Sequence, residues 1–371
     1  MRVLDYLIVG AGLTGAACAR VLTDGGKRCL VIDRRAHVGG NAYTKTVAGI
    51  QVHAYGPHIF HTNDAQVWAF VNRFASFNRF VNAPIANYKG EIYNLPFNMN
   101  TFHRLWGVVT PLEAQQRIQA QRAAAGIVNP RNLEEQAIAL VGRELYEKLI
   151  RGYTQKQWGR PCHELPADII KRIPVRFTYD NNYFDALYQG VPGEGYTALA
   201  QNMLAGIDVE LNADFLARRS AWRAKARRVI FTGCVDEYFS YRFGPLAYRS
   251  LRFAEETLPV ENYQGNAVVN YTDLETPYTR CVEHKHFTFG TQPHSVVSRE
   301  YPMEWSPGAE PFYPVNDPFN AALYARYEAL AREEAGTRFA GRLATYRYLD
   351  MDAALRQALT LCEAELLHAD D

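Results

Sequence analysis

Residues 3–9 read VLDYLIV, and residues 10–15 read GAGLTG. The first is an apolar run of strand length. The second puts Gly10, Gly12 and Gly15 at the glycine positions of a G-x-G-x-x-G turn. Gly10 lets the chain turn sharply, Gly12 lets a pyrophosphate reach the backbone, and Gly15 lets the next helix lie against the strand. Thr14, inside the turn, presents mainly its backbone to the phosphates. A helix is predicted from about Leu13 to Asp24, stopped by Gly25 and Gly26. A second strand, RCLVID at 28–33, ends on Asp33, where an acid suits the hydroxyls of a ribose. Strand, turn, helix, strand and acid in this order predict a βαβ dinucleotide site, with the helix N-terminus facing the phosphates.

NAD and FAD both fit that unit, and the adjoining stretch favours FAD. RRAHVGGNA at 34–42 places Arg34 ahead of Gly39 and Gly40, then Asn41. This R-x-x-x-x-G-G spacing resembles a flavoprotein superfamily, in which the glycine pair allows backbone contact with the cofactor. RRVIFTG at 227–233 reads as a further strand ending in Thr-Gly. FAGRLATYRYLDMD at 339–352 reads as a strand, a turn and a helix start at Leu349, Asp350 and Met351. A helix N-terminus there could face the flavin pyrimidine ring. The FAD-binding domain is therefore expected to be discontinuous.

The 371 residues suit two or three sub-domains. A net charge of +1 argues against a general nucleic-acid binder. The six cysteines are scattered without a C-x-x-C pair, favouring reduced structural thiols over a disulfide frame or zinc site. No apolar run approaches the ~20 residues of a membrane span. The N-terminus enters a strand directly, with Asp5 inside it, and lacks a signal-peptide pattern. A cytoplasmic protein is expected, without membrane insertion. Aromatic residues make up 13% of the chain, either as core or as a ring-lined pocket.

Residues 100–159 read as mostly helical. Asn132 with Glu135 reads as a capping box for one long amphipathic stretch over 133–154. The prolines at 161, 166 and 174 suggest an irregular connection. NAVVNYTD at 266–273 and KHFTFG at 285–290 alternate as strands do, suggesting an antiparallel sheet beside the flavin. The proline-rich 304–319 reads as a structured loop over a surface or pocket.

GPHIFHT at 56–62, RGYTQKQWG at 151–159, KRIPVRFTYDNNYF at 171–184, PYTR at 277–280 and GRLATYRYLDMD at 341–352 resemble bacterial UDP-galactopyranose mutases along nearly the whole chain. The resemblance implies an α/β fold with α+β accessory parts: a Rossmann-like FAD domain (1–63, 187–240 and 318–371), an inserted helical domain (98–165), and an antiparallel sheet domain (64–97, 166–186 and 241–317) with a mobile loop near 166–180. It implies a homodimer with no net redox change, interconverting UDP-galactopyranose and UDP-galactofuranose for cell-surface glycans. It also implies that UDP leaves and returns, and that the flavin is kept reduced by a donor such as NAD(P)H. In this family the N5 of reduced FAD attacks the anomeric carbon, so catalysis is covalent.

The resemblance assigns Arg172 and Arg280 to the diphosphate, a role suited to a permanently charged fork. Arg249 is a weaker third candidate. It places Tyr153 against uracil, and Thr154 and Trp158 beside the substrate, with Asn82, Tyr183, Asn270, Tyr313, Tyr346 and Tyr348 at further substrate positions. His58 and His61 form an H-x-x-H, open to metal-binding, structural or flavin-side readings. The resemblance favours the last, with His61 and Thr62 on FAD and His58 near N5. It adds Arg342 near the pyrophosphate, and Asp214 and Phe215 at adenine or ribose. Expected cofactor residues are thus Gly10, Gly12, Thr14, Gly15, Asp33, Arg34, Gly40, Asn41, His61, Thr62, Asp214, Phe215, Arg342, Leu349, Asp350 and Met351, with no metal. Two other readings compete: a flavin amine oxidase-like oxidoreductase, which shares the FAD fold, and a non-catalytic flavin or UDP-sugar sensor. The middle-chain arginines fit an anionic substrate better than an amine.

Overall fold

The computed structural model describes residues 3–170 and 173–367. Arg172, one of the two expected diphosphate arginines, lies outside the described residues. The strand Leu4–Val9 is central in a five-stranded parallel sheet, ordered Thr337–Phe339, Ala226–Phe231, Leu4–Val9, Cys29–Ile32, Asp208–Glu210. Strands from three distant stretches of the chain thus build one sheet. Both faces are covered, so Leu7, Ile8, Val31 and Ile32 are fully buried and the strand shows no alternation.

The helix Leu13–Asp24 packs on one face through Ala16, Ala17, Ala19 and Leu22, against the C-terminal helix Met351–Leu367. The small side chains permit close approach, and burying Leu22 alone contributes about 2 kcal/mol. A polar tie reinforces this layer. Glu365, nearly buried, accepts from the Tyr6 hydroxyl at 3.0 Å and from Arg338 Nε at 2.8 Å, and pairs with Arg228. These cations hold the carboxyl below its usual range against the opposing effect of burial.

The second sheet has seven strands: Tyr313–Pro314, Tyr248–Leu258, Ser295–Glu304, Arg280–Glu283, Val268–Tyr271, Ile85–Tyr88 and Glu91–Asn94. It is antiparallel except where Val268–Tyr271 runs parallel to Ile85–Tyr88. The expected strand at 285–290 is instead a 3-10 helix, His284–Thr288. Alternation misleads there because His284, Lys285 and Phe287 are all buried, the lysine donating to the carbonyls of Glu261 and Gln292.

The helical region does not form one long helix after Asn132. Asn132 accepts from the Glu135 amide at 2.9 Å, but Glu135 reaches the Arg131 amide rather than closing a capping box. The helix Leu133–Val141 ends at Gly142, whose φ is +87°, and a π-helical turn, Tyr146–Arg151, leads into the helix Gly152–Trp158. A side chain at Gly142 would also meet Gln121 at 2.7 Å. The π turn rotates the last helix, which carries Tyr153 and Trp158, relative to the regular 3.6-residue path. Among the described residues, no helix is long and apolar enough to cross a membrane.

Candidate active site

Two cavities meet above the C-terminal edge of the parallel sheet. The first has a volume of about 1310 Å³, open mouth included, and is lined by Gly10, Gly12, Thr14, Asp33, Gly40 and Gly341 among others. Two further glycines, Gly39 and Gly233, join the wall. A Cβ on Gly40 would come within 2.9 Å of the Gly12 Cα, so the two glycine turns close on each other across a narrow cradle. Gly15 does not line it; its Cβ would lie 1.9 Å from the Gly10 carbonyl oxygen, so its task is packing. Asp33 accepts from the Ala11 amide at 2.7 Å and the Arg35 amide at 2.8 Å. That leaves about two of its four acceptor positions for hydroxyls.

Asp214 and Phe215 line the far end of the first cavity, where Asp214 accepts from the Leu216 and Ala217 amides. Arg34 lines the wall and pairs with Glu237 at 3.5 Å. Its neighbour Arg35, which sequence reasoning passed over, also lines the cavity, pairs with Glu310 and donates to Asn41 at 2.7 Å. The doubled arginine was visible in the sequence; the carboxylate that one of them meets, 275 positions away, was not.

The second cavity, about 1160 Å³ with its mouth, has a single glycine, Gly56, in its lining. Its floor is a row across the sheet. Asn270 pairs in register with Arg280, Arg280 with Glu300, and Glu300 with Phe253. Residues directly opposite on neighbouring strands share a face, so the register aligns these groups. Arg280 donates from Nε to Asn270 Oδ1 at 3.1 Å and from its guanidinium to the Tyr153 hydroxyl at 3.0 Å. Burial opposes its charge, but the neighbouring Glu300 carboxylate more than offsets this and holds the guanidinium charged. Burial pushes the Glu300 carboxyl up, with Arg280 only partly countering it, and Glu300 Oε1 has no hydrogen-bond partner among the described residues. Nothing in the local sequence of Glu300 marks it; only its register opposite Arg280 does.

Tyr183, Tyr313 and Tyr348 stand on the walls as neutral hydroxyls; desolvation in the cleft raises each phenol, although Tyr183 and Tyr348 still show 41% and 55% of their surface to solvent. Asn82 accepts the Tyr183 amide on its carbonyl at 2.7 Å. Tyr313 stacks with Tyr348, and Arg342 lies over the Tyr348 ring at 4.7 Å.

Asn41, His58, Arg342 and Met351 line both cavities and form their junction. Arg342 donates to the Leu349 carbonyl from Nε at 3.2 Å and from its terminal nitrogen at 2.6 Å. This fixes the turn Leu349–Asp350 immediately before the helix Met351–Leu367, whose N-terminal dipole points at the junction.

Several expected residues stand elsewhere. His61 lines the second cavity rather than the first, stacked on Phe184 at 3.7 Å. Thr62 is buried outside both linings, its hydroxyl accepting from the Asp64 amide at 3.0 Å. Tyr346 is also buried outside both, its hydroxyl held by the carbonyls of Ala247 at 2.6 Å and Val315 at 3.0 Å. Arg249 is buried beneath the site, donating to the Gln157 carbonyl at 2.9 Å and pairing with Glu304, so it holds the end of the Trp158 helix. Thr154 is buried in that helix, and Trp158 packs on the helical core. Among the described residues, no cluster of His, Cys, Asp and Glu could hold a metal.

Comparison with known proteins agrees with this geometry. A family model described as UDP-galactopyranose mutase matches residues 148–348. An Escherichia coli dTDP-fucopyranose mutase is 40% identical, covering 95% of this chain and 96% of its own. A Klebsiella pneumoniae probable UDP-galactopyranose mutase is also 40% identical, covering 96% and 93%. The chain belongs to the UDP-galactopyranose mutase family. It is thus an isomerase with a flavin cofactor, and the oxidoreductase reading yields to full-length membership. A model of the NAD(P)-binding Rossmann-like domain matches residues 8–74. A crystal structure of a reduced UDP-galactopyranose mutase shares the fold at a TM-score of 0.77 with 16% identity, covering 99% of this chain and 96% of that one.

Proposed function

We propose that this protein interconverts UDP-galactopyranose and UDP-galactofuranose, with FAD in the first cavity and the nucleotide sugar in the second. The observation that carries this is the junction: a glycine-walled dinucleotide cradle opens directly onto a cavity holding a charged, half-buried arginine. The cradle fits FAD, because its glycines leave room for a pyrophosphate and Asp33 keeps free acceptors for ribose. Bound and reduced, the flavin supplies a nucleophilic nitrogen for the sugar's anomeric carbon.

The protein's own part is electrostatic and positional. Arg280 binds the diphosphate and gains as negative charge builds on the departing UDP. Its fork is oriented beforehand by Asn270 and Tyr153, so little reorganisation accompanies departure. Arg172 is proposed as the second diphosphate cation. The neutral phenols of Tyr183, Tyr313 and Tyr348 donate to oxygens and exclude water around the sugar. The N-terminus of the helix Met351–Leu367 favours negative charge at the junction.

Reduced protein given UDP-galactofuranose is expected to form UDP-galactopyranose, seen by chromatography, without oxygen uptake. Stoichiometric oxygen consumption during turnover would overturn the reading. A second reading is favoured by the E. coli relative: a dTDP-linked 6-deoxyhexose in place of the UDP-hexose. The same assay with dTDP-fucopyranose decides between them by relative kcat/KM.

A further inference from the structure

Behind His58 lie two more histidines, His53 and His284, which line neither cavity. They form a ladder. The His58 amide donates to His53 Nδ1 at 3.1 Å, and the His53 amide donates to His284 Nδ1 at 3.3 Å. His284 Nε2 meets the Ser298 hydroxyl at 2.8 Å.

Each bond fixes a proton. A ring nitrogen that accepts an amide N–H carries no hydrogen, so His53 and His284 must both be neutral with the proton on Nε2. His284 therefore donates to Ser298. His58 differs, because its Nδ1 lies 2.7 Å from the Gly56 carbonyl, an acceptor only. Its Nδ1 is the protonated nitrogen, and its Nε2 keeps a lone pair when the ring is neutral.

We propose that His53 and His284 are positioning residues: they clamp the turn 53–58 from behind and present His58 to the cavity junction with Nδ1 protonated and the Nε2 lone pair free. This rests on the mutase reading for its catalytic meaning. An imidazolium at either rung would turn an acceptor into a donor facing an amide, and would release the turn.

The surroundings keep the rungs neutral. His53 stacks on Phe287 at 4.7 Å and meets the Tyr196 ring edge-on. The titratable groups facing it are His284, His58 and Tyr196, none of which is an anion at neutral pH. His284 feels the cation of Lys45 beside its burial, and falls to about 3. His58 falls to about 4, mainly through burial, with the cations of Arg342 and Arg280 adding to it and the Gly56 carbonyl opposing. Two buried acids lie close by: Glu300, whose Oε1 would stand 3.2 Å from a Cβ on Gly56, and Glu283, which precedes His284 but accepts from the Tyr263 and Gln264 amides and the Ser295 hydroxyl.

The test is long-range proton–nitrogen correlation spectra of the oxidised holoenzyme carrying nitrogen-15 histidine, assigned with His53→Asn and His284→Asn. His53 and His284 should appear neutral with Nε2 protonated, and His58 neutral with Nδ1 protonated. A His58 that is an imidazolium, or protonated on Nε2, at pH 7.5 would overturn the proposal. His284→Leu should change the His58 tautomer signal and lower kcat by roughly 30-fold with KM and UDP affinity within about 2-fold. In His284→Asn the side-chain oxygen can stand in for Nδ1, so kcat should recover to within about 3-fold and the acid limb of the kcat profile should move lower. An unchanged His58 signal in His284→Leu would refute the clamp, as would equal losses in Leu and Asn variants. The expected tautomers in a protein inactive on both nucleotide sugars would sink the mutase reading and leave the clamp standing.

Discussion

The two cavities are built in opposite ways. The first closes over two glycine turns, Gly10–Gly12 and Gly39–Gly40, that present bare backbone, with side chains such as Asp33, Phe215 and Arg342 around them. The second is mostly side chain, gathered from segments such as 55–61, 82–84, 183–184, 268–270 and 312–313. A backbone-built site is specified by residues that lack something, and it breaks when anything is added. A side-chain site is specified by register and orientation, and it breaks when one group is replaced while the fold survives.

The sharpest way to break this contrast is Gly15→Val. The added Cβ would lie 1.9 Å from the Gly10 carbonyl, which as backbone cannot yield cheaply. Loss of the flavin and destabilisation of roughly 4 kcal/mol or more are expected, read by absorbance and urea unfolding. Retained flavin would show that the cradle is softer than its geometry.

Arg280→Lys should do the reverse. It keeps a charge beside Glu300 but loses the fork to Asn270 and Tyr153. The flavin should stay bound while kcat/KM falls about 100-fold or more. Loss of flavin along with activity would mean that the cavities are not separable.

Acid should act on the histidine ladder before either cavity's arginines. His58 and His284 have folded values near 4 and 3, below the ordinary 6.5, and His53 is also well below it. Between those values the unfolded chain binds more protons than the native one. Their contribution to stability is therefore complete above about pH 6.5 and is lost progressively as pH falls toward 3. The unfolding free energy from urea titrations should drop across that window by roughly several kcal/mol in wild type, and by visibly less in His284→Asn. Equal slopes in the two proteins would remove His284 from the account.

The smallest effect is expected at Tyr346→Phe. Its hydroxyl serves two carbonyls and faces neither cavity. A loss of about 1 kcal/mol and nearly unchanged kcat/KM are expected. A large fall in kcat/KM at constant stability would restore Tyr346 to the substrate.

The stretch at 3–42 determined the βαβ unit and its cofactor class by itself. Glycine spacing and the acid at Asp33 act through local backbone geometry, which needs no distant partner. The bounds Leu4–Val9 and Leu13–Asp24 follow almost directly from it. The long helix expected after Asn132 failed because apolar periodicity continues across Gly142, whereas the backbone there does not. Glu300, Glu310 and His284 were silent for another reason: each is an ordinary residue in its own segment. Cross-strand register set Glu300 opposite Arg280, and chain return brought Glu310 to Arg35 and His284 beneath His53. Tertiary structure alone decided these, because the interactions that give such groups a task join positions tens to hundreds of residues apart.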